Sequence, residues 1–204
     1  MEVYPHRIMG DIYEKQELIV VGADGVKHSL TLSSNVFEDI APRVADMDGD
    51  GRGDVVVVET SVTLGASLAI YSLGEDGLFK LTATPHIGRA FRWLSLAGIA
   101  DFDGDGVNDV AYVETPHLGK VLRFWTVRDG KLVEMAAASG LTNHRIGDAF
   151  ISGGVRDCAG ADEIVTASGD WSRVFATKMV NGSLVFTDLG KYSAQAITDA
   201  LTCD

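Results

Sequence analysis

Asp46-Met47-Asp48-Gly49-Asp50-Gly51-Arg52-Gly53-Asp54 returns 55 residues later as Asp101-Phe102-Asp103-Gly104-Asp105-Gly106-Val107-Asn108-Asp109. Carboxylates at positions 1, 3, 5 and 9 of such a loop are spaced so that a tightly wound backbone turns them all onto one hard cation. Glycines at positions 4 and 6 let the chain bend that sharply without a Cβ clash. Calcium takes six to eight oxygens at about 2.3 to 2.6 Å, so the carbonyl of position 7 and water complete the expected shell. The candidate ligands are therefore Asp46, Asp48, Asp50, Arg52 and Asp54 for one Ca2+ ion, and Asp101, Asp103, Asp105, Val107 and Asp109 for a second. A helix-loop-helix site would need a bidentate Glu at position 12, where this chain has Val57 and Tyr112. The residues that follow, Val55-Val56-Val57-Val58 and Val110-Ala111-Tyr112-Val113, read as buried strand, so these are strand-loop-strand sites.

Working outward, four turn dipeptides separate apolar-alternating runs: Asp24-Gly25, Asp76-Gly77, Asp129-Gly130 and Asn181-Gly182, spaced by 52, 53 and 52 residues. Asp-Gly and Asn-Gly suit tight hairpins in which both central positions take positive φ. The chain is thus expected to hold four units, at about 5–41, 42–96, 97–149 and 150–204, within a single domain over 1–204. In the second unit the expected strands are 43–45, 54–59, 67–73 and 78–84; in the third they are 98–100, 109–114, 121–128 and 131–137. The first unit replaces the metal loop with 10–17 before the strand Leu18-Ile19-Val20-Val21, and the fourth carries Gly154-Val155-Arg156-Asp157-Cys158 in its place. Four antiparallel strands per unit, repeated about an axis, describe an all-β fold, a β-propeller of four four-stranded blades. The tail from Ser193 to Leu201 has a Ser cap and alanines that suggest one short helix, able to bring Cys203 toward Cys158. These two cysteines permit a disulfide or two buried thiols.

Asp-x-Asp-Gly-Asp-Gly-x-x-Asp followed by a hydrophobic strand, at 46–58 and 101–113, resembles the calcium-binding propeller repeats of the FG-GAP and VCBS-type families. Those families also build the head of integrin α chains and many bacterial secreted proteins, mostly as scaffolds and binding modules. The chain departs from the FG-GAP pattern where Arg92, not Gly, follows Phe91, and where no Gly-Ala-Pro follows Glu59 or Glu114.

The net charge of −12, without any clustered run of Lys and Arg, excludes a nucleic-acid partner. No apolar run approaches the roughly 20 residues of a membrane span, and the first seven residues have no signal-peptide core. Calcium loops of micromolar or weaker affinity stay empty in cytosol, so a secreted, periplasmic or cell-surface setting is expected.

In a propeller, metal loops and hairpins share one face, while strand 2-to-3 loops and crossings between blades share the other. That second face collects His86, Arg89, Arg92, Trp93, His117, His144, Arg145, Trp171 and Arg173, the candidate ligand-binding residues. Arg with Trp suits an acidic or sugar ligand; a convergent histidine cluster would suit zinc or copper. Arg52-Gly53-Asp54 spells an adhesion tripeptide, but its aspartate is committed to the metal. The expected role is a non-catalytic module, a monomer rather than an oligomer, binding a polysaccharide or a protein. The alternative is a polysaccharide-active hydrolase or lyase using Glu114, His117, His86 and Arg92.

Overall fold

The computed structural model describes residues 4–6, 8, 14–158 and 160–203. Strands β1 (Glu17–Val21) and β2 (Lys27–Thr31) form a two-stranded antiparallel sheet. The second sheet comprises β3 (Asn35–Phe37), β4 (Arg43–Ala45), β5 (Asp54–Ser61), β6 (Gly65–Gly74) and β7 (Gly77–Ala83). The third runs in order through β8 (Leu94–Ala100), β9 (Asp109–Glu114), β10 (Val121–Arg128) and β11 (Lys131–Ser139). The fourth holds β12 (Leu141–Thr142), β13 (Gly154–Asp157), β14 (Asp162–Ser168), β15 (Arg173–Val180) and β16 (Ser183–Lys191), followed by helix α1 (Ala194–Thr202). This is an all-β, propeller-like stack of antiparallel sheets with one short C-terminal helix.

The unbroken apolar runs after the metal loops are buried on both faces because side chains alternate across a sheet. Val56 and Val58 enter a core shared with Trp93, Leu94, Val110 and Tyr112 of the third sheet, while Val55 and Val57 meet Leu18 of the first. Ala111, Val113, Leu122 and Phe124 pack against Leu141 and Ile164 of the fourth sheet. Val165 and Val174 complete the series against Ile197 and Ala200 of α1. The helix starts where the Ser193 hydroxyl accepts from the Ala196 N–H at 2.9 Å, and ends at Cys203 in the left-handed region, φ 65°. Gly98 lies where the inner strands of the third and fourth sheets meet: a Cβ there would lie 2.3 Å from Val155 Cγ2.

The structure departs from the expected strands in three places. Asn35–Phe37 pairs with Ser61–Glu59, and Leu141–Thr142 pairs with Ser168–Ala167, so both belong to the sheet after the unit in which the sequence reading put them. In each case an insertion, 38–42 or 143–153, leaves the ladder and breaks one inner strand into β3 and β4, or β12 and β13. In the first unit, Leu18–Val21 is joined to β2 through the Asp24-Gly25 turn, as β6 is joined to β7, so it is an outer strand rather than the second of a blade. The described residues of this unit contribute two strands, not four, and the segment expected to replace its metal loop falls largely on residues 10–13, outside the described residues. The hairpins also divide. Asp129-Gly130 and Asn181-Gly182 have positive φ at both central positions, whereas Glu75 and Asp76 are the central pair between Gly74 and Gly77, one residue off the Asp-Gly dipeptide.

Candidate functional site

Each metal loop is wound by its own aspartates. The Asp46 carboxylate accepts from the Gly49 and Gly51 N–H groups at 2.8 and 2.9 Å, and Asp101 accepts from Gly104 and Gly106 at 2.7 and 2.8 Å. The four glycines have φ between 78° and 90°, open to them and strained for other residues. Asp54 and Asp109 lie beneath, buried, accepting from Met47 and Phe102 N–H groups at 3.0 and 3.1 Å. Carboxylate oxygens of Asp46, Asp48 and Asp50, and of Asp101, Asp103 and Asp109, come within 4.8 Å of one another, so both clusters can hold a metal ion.

The loops are not equal. In the first, the Ser72 hydroxyl donates to Asp54 Oδ1 and the Arg52 guanidinium donates to Asp50 Oδ2, from Nε at 2.8 Å. In the second, Asp109 Oδ1 is buried and makes no well-formed hydrogen bond, although the Thr126 hydroxyl lies close enough to act on the carboxyl. Burial, opposed by the Thr126 hydroxyl and the Phe102 N–H and reinforced by the charges of Asp103 and Asp105, pushes the Asp109 carboxyl up to about 6. Burial raises Asp54 as well, while the Arg52 hydrogen bond lowers Asp50. A buried carboxylate oxygen without a well-formed hydrogen bond is what a cation ligand looks like before it is bound. Asn108, which no motif singles out, donates from Nδ2 to the Asp46 carbonyl at 2.9 Å and ties one loop to the other. The adhesion tripeptide is not presented as one, since Arg52 is held by Asp50 and Asp54 is buried.

On the opposite face the nine candidates separate into distinct groups. Trp93 is buried, donates from Nε1 to the Glu38 carbonyl at 2.8 Å, and stacks on His117 with ring centroids 6.4 Å apart. His117 Nε2 and His144 Nδ1 share a hydrogen bond of 2.9 Å, and His144 Nε2 donates to the Asp148 carbonyl at 2.9 Å. Burial, with the neighbouring His144, lowers His117 to about 4, and burial lowers His144 too, so the pair is held neutral. Beneath them the fully buried Glu38 bonds His6 at 2.5 Å and the Thr60 hydroxyl at 2.7 Å; its neighbour Tyr4 stacks on Phe91. Glu38, His6 and Tyr4 are not among the candidate residues read from the sequence. Burial of Glu38 leaves no local trace in the sequence. The histidines do not form a transition-metal centre: among the described residues only the two aspartate clusters bring three ligand atoms together.

Arg145 and Trp171 form the second group, joined by Tyr192. The Arg145 guanidinium carbon lies 4.2 Å from the Trp171 ring centre and 5.0 Å from that of Tyr192, and the two rings meet edge to face at 82°. Arg173 is apart from them, paired with Asp188 at 2.7 Å. His86 Nδ1 bonds the Gly65 carbonyl at 2.8 Å, and Arg92 donates to the Phe91 carbonyl at 3.1 Å. Glu114 is held by Arg123, so Glu114, His117, His86 and Arg92 share no hydrogen bond with one another.

Seven described residues other than glycine have positive φ. Asp129 and Asn181 are hairpin residues and Cys203 ends the helix, but Phe91 (56°), Thr115 (45°), Lys120 (54°) and Trp171 (60°) all lie in loops of the second face. Bulky or β-branched residues in that region are outliers costing about 1 to 3 kcal/mol each.

Cys158 and Cys203 form a disulfide, closing the alternative that the sequence left open. No helix of the described residues is long and apolar enough to cross a membrane. Residues 46–112 match the family model of the FG-GAP-like repeat. No curated protein matches the chain. Among solved structures, the rhamnogalacturonan lyase YesW aligns with a TM-score of 0.43 and 15% identity, over 91% of this chain and 39% of that one.

Proposed function

We propose that this chain, with its FG-GAP-like repeat at residues 46–112, is a calcium-stabilised binding module of one propeller-like domain, recognising a polysaccharide or a protein through the face opposite its metal loops. The observation that carries this reading is the strain collected on that face. Phe91, Thr115, Lys120 and Trp171 hold costly backbone conformations, which persist where the surrounding structure over-determines them for a purpose. A rigid stack of sheets supplies that support, and surface loops on such a scaffold are where recognition resides.

Two Ca2+ ions fit the all-oxygen donor sets, with Asp46, Asp48, Asp50 and Asp54 in one loop and Asp101, Asp103, Asp105 and Asp109 in the other; the Arg52 and Val107 carbonyls are the remaining protein ligands. The ion's part is structural, since it neutralises carboxylates that otherwise repel across a loop joining two adjacent strands. The disulfide accords with a secreted, periplasmic or cell-surface setting, because such bonds persist in oxidising compartments. A non-catalytic role is favoured because the residues of the hydrolase or lyase reading are each engaged with different partners.

A thermal-shift screen in saturating calcium tests the reading, since a ligand that binds only the folded state raises its melting temperature. Glycans, organic acids and candidate proteins are the probes. The expected result is a shift that Trp171→Gly abolishes; a shift that survives this change and is instead lost on altering the first-face hairpin at Asn181 would refute the assignment of the face.

A further inference from the structure

We infer that Arg145, stacked on Trp171 and Tyr192, is a carboxylate anchor, and that the ligand of the second face is an acidic saccharide whose sugar ring carries the carboxylate. This rests on the second face being the recognition surface.

The argument begins with which arginines lack a partner. Acidic residues outnumber Lys and Arg by 29 to 17, so a guanidinium in this protein has carboxylates in excess around it. Among the described residues, Arg43, Arg52, Arg123, Arg128, Arg156 and Arg173 all lie within 4.0 Å of one. Arg89, Arg92 and Arg145 have no such partner among the described residues, and all three stand on crossings or insertions of the second face. Eight of the acidic residues sit elsewhere, in the metal loops of the opposite face, where bound cations offset them and where salt screens them over about 8 Å at physiological ionic strength.

Whereas Arg92 is turned to the Phe91 carbonyl, Arg145 is the one of the three that is held over aromatic rings. Its guanidinium is held 4.2 Å over the Trp171 ring and 5.0 Å from Tyr192. Stacking occupies the flat face of the group and leaves the N–H donors of its edge, a planar fork that matches a carboxylate in two parallel hydrogen bonds. The platform beneath it is built at a cost. Trp171 adopts φ 60° in a turn closed by its own N–H on the Ser168 carbonyl at 2.8 Å. The Lys120 ammonium donates to the Gly169 carbonyl of the same turn. Asp170, the one carboxylate in that turn, accepts on Oδ1 from the Ser168 and Ser172 hydroxyls at 2.6 and 2.7 Å, and these bonds hold it ionised, down at about 2, without a bond to Arg145.

Trp171 and Tyr192 are only partly buried, so the apolar platform continues beyond the guanidinium. A hexuronate ring has both halves of the complement, a C–H face for the indole and a carboxylate fixed rigidly beside it for the fork. An acidic peptide carries its carboxylates on flexible stems and offers no such face, which favours the saccharide.

The test is titration of the calcium-saturated chain, followed by tryptophan fluorescence and calorimetry, with a hexuronate tetrasaccharide and with its methyl ester. The acid is expected to bind with an affinity that falls as salt rises, and the ester at least tenfold more weakly. Arg145→Gln should cost tenfold or more, Arg145→Lys should restore only part of that, and Lys27→Gln on the first sheet should change nothing. Trp171→Gly, which the backbone accepts at φ 60°, should weaken acid and ester alike. The inference is overturned if the wild type binds neither, if acid and ester bind equally, if Arg145→Gln binds as the wild type does, or if oligoglutamate binds as tightly as the saccharide. A neutral glycan or a protein whose binding needs Trp171 but not Arg145 would refute the acidic ligand while leaving the second face as the recognition surface.

Discussion

Replacing Asp109 with asparagine should reverse its effect on stability according to whether calcium is present. In chelator, the carboxylate is buried, one of its oxygens makes no well-formed hydrogen bond, and burial holds its pKa at about 6 against an ordinary 3.8 even with the Thr126 hydroxyl beside it. That displacement corresponds to roughly 3 kcal/mol of penalty at neutral pH. The folded state holds the proton more tightly than the unfolded chain, so stability is highest below the unfolded value and is lost as pH rises through 6. The asparagine amide keeps the shape, still accepts from the Phe102 N–H and carries no charge, so Asp109→Asn should stabilise the chelated protein at pH 8 by up to about 3 kcal/mol. In calcium the sign inverts. An ion at one thousand times its dissociation constant contributes about 4.1 kcal/mol, which the variant forfeits and which exceeds the roughly 3 kcal/mol it gains. For a chain of this size each kcal/mol moves the melting temperature by about 2 to 4 °C. Calorimetry of both proteins at pH 8, with calcium and with EDTA, should therefore show the melting curves crossing over, the variant lower in calcium and higher in EDTA. A variant that is less stable in both, by similar amounts, would mean that the carboxylate is needed for packing, and would refute its assignment as a ligand.

Three further outcomes follow from the packing and the titrations. Gly98→Ala places a Cβ 2.3 Å from Val155 Cγ2 and 3.1 Å from Ile164 Cδ1, so it should destabilise by about 1 to 3 kcal/mol in urea unfolding; a neutral result would show that the third and fourth sheets can part at no cost. His117 and His144 are held neutral by burial, His117 at about 4, so their contribution is present above the ordinary histidine value of 6.5 and is lost as pH falls from there toward 4. Replacing both with asparagine should flatten that limb of the stability curve measured in chelator, and an unchanged limb would place the acid sensitivity elsewhere. Reducing the Cys158–Cys203 bond, which spans 45 residues, should cost about 4 kcal/mol on the chain-entropy model, read as a lower melting temperature in reductant that Cys203→Ser reproduces.

The metal loops and the sheets that follow them were legible because their determinants are local. Aspartate spacing, positive-φ glycines and strand alternation act within a dozen residues, and Asp46 to Val58 carries all three. The division of the chain into two faces was legible too, because it follows from strand order alone. Within the second face the sequence named residues but could not group them: Arg173 matches Arg145 in kind, yet its side chain finds Asp188 across a strand pair, while Arg145 finds Trp171 and Tyr192. The inner strands were misread for a related reason. An insertion such as 143–153 leaves a ladder that resumes beyond it, and only pairing with β14 shows that β12 and β13 are one strand interrupted.

By itself the sequence determined the fold class, two acidic loops able to hold metal, and which residues could be presented away from them, since each depends on backbone preference and on neighbours in the chain. The tertiary structure alone decided that Asp109 is fully buried beneath its loop, that Glu38 lies fully buried against His6, and that three arginines of one face have no carboxylate partner among the described residues. Those facts depend on burial and on partners tens of residues away. A side chain's charge is written in the sequence, but its solvent and its counter-ion are supplied by the fold.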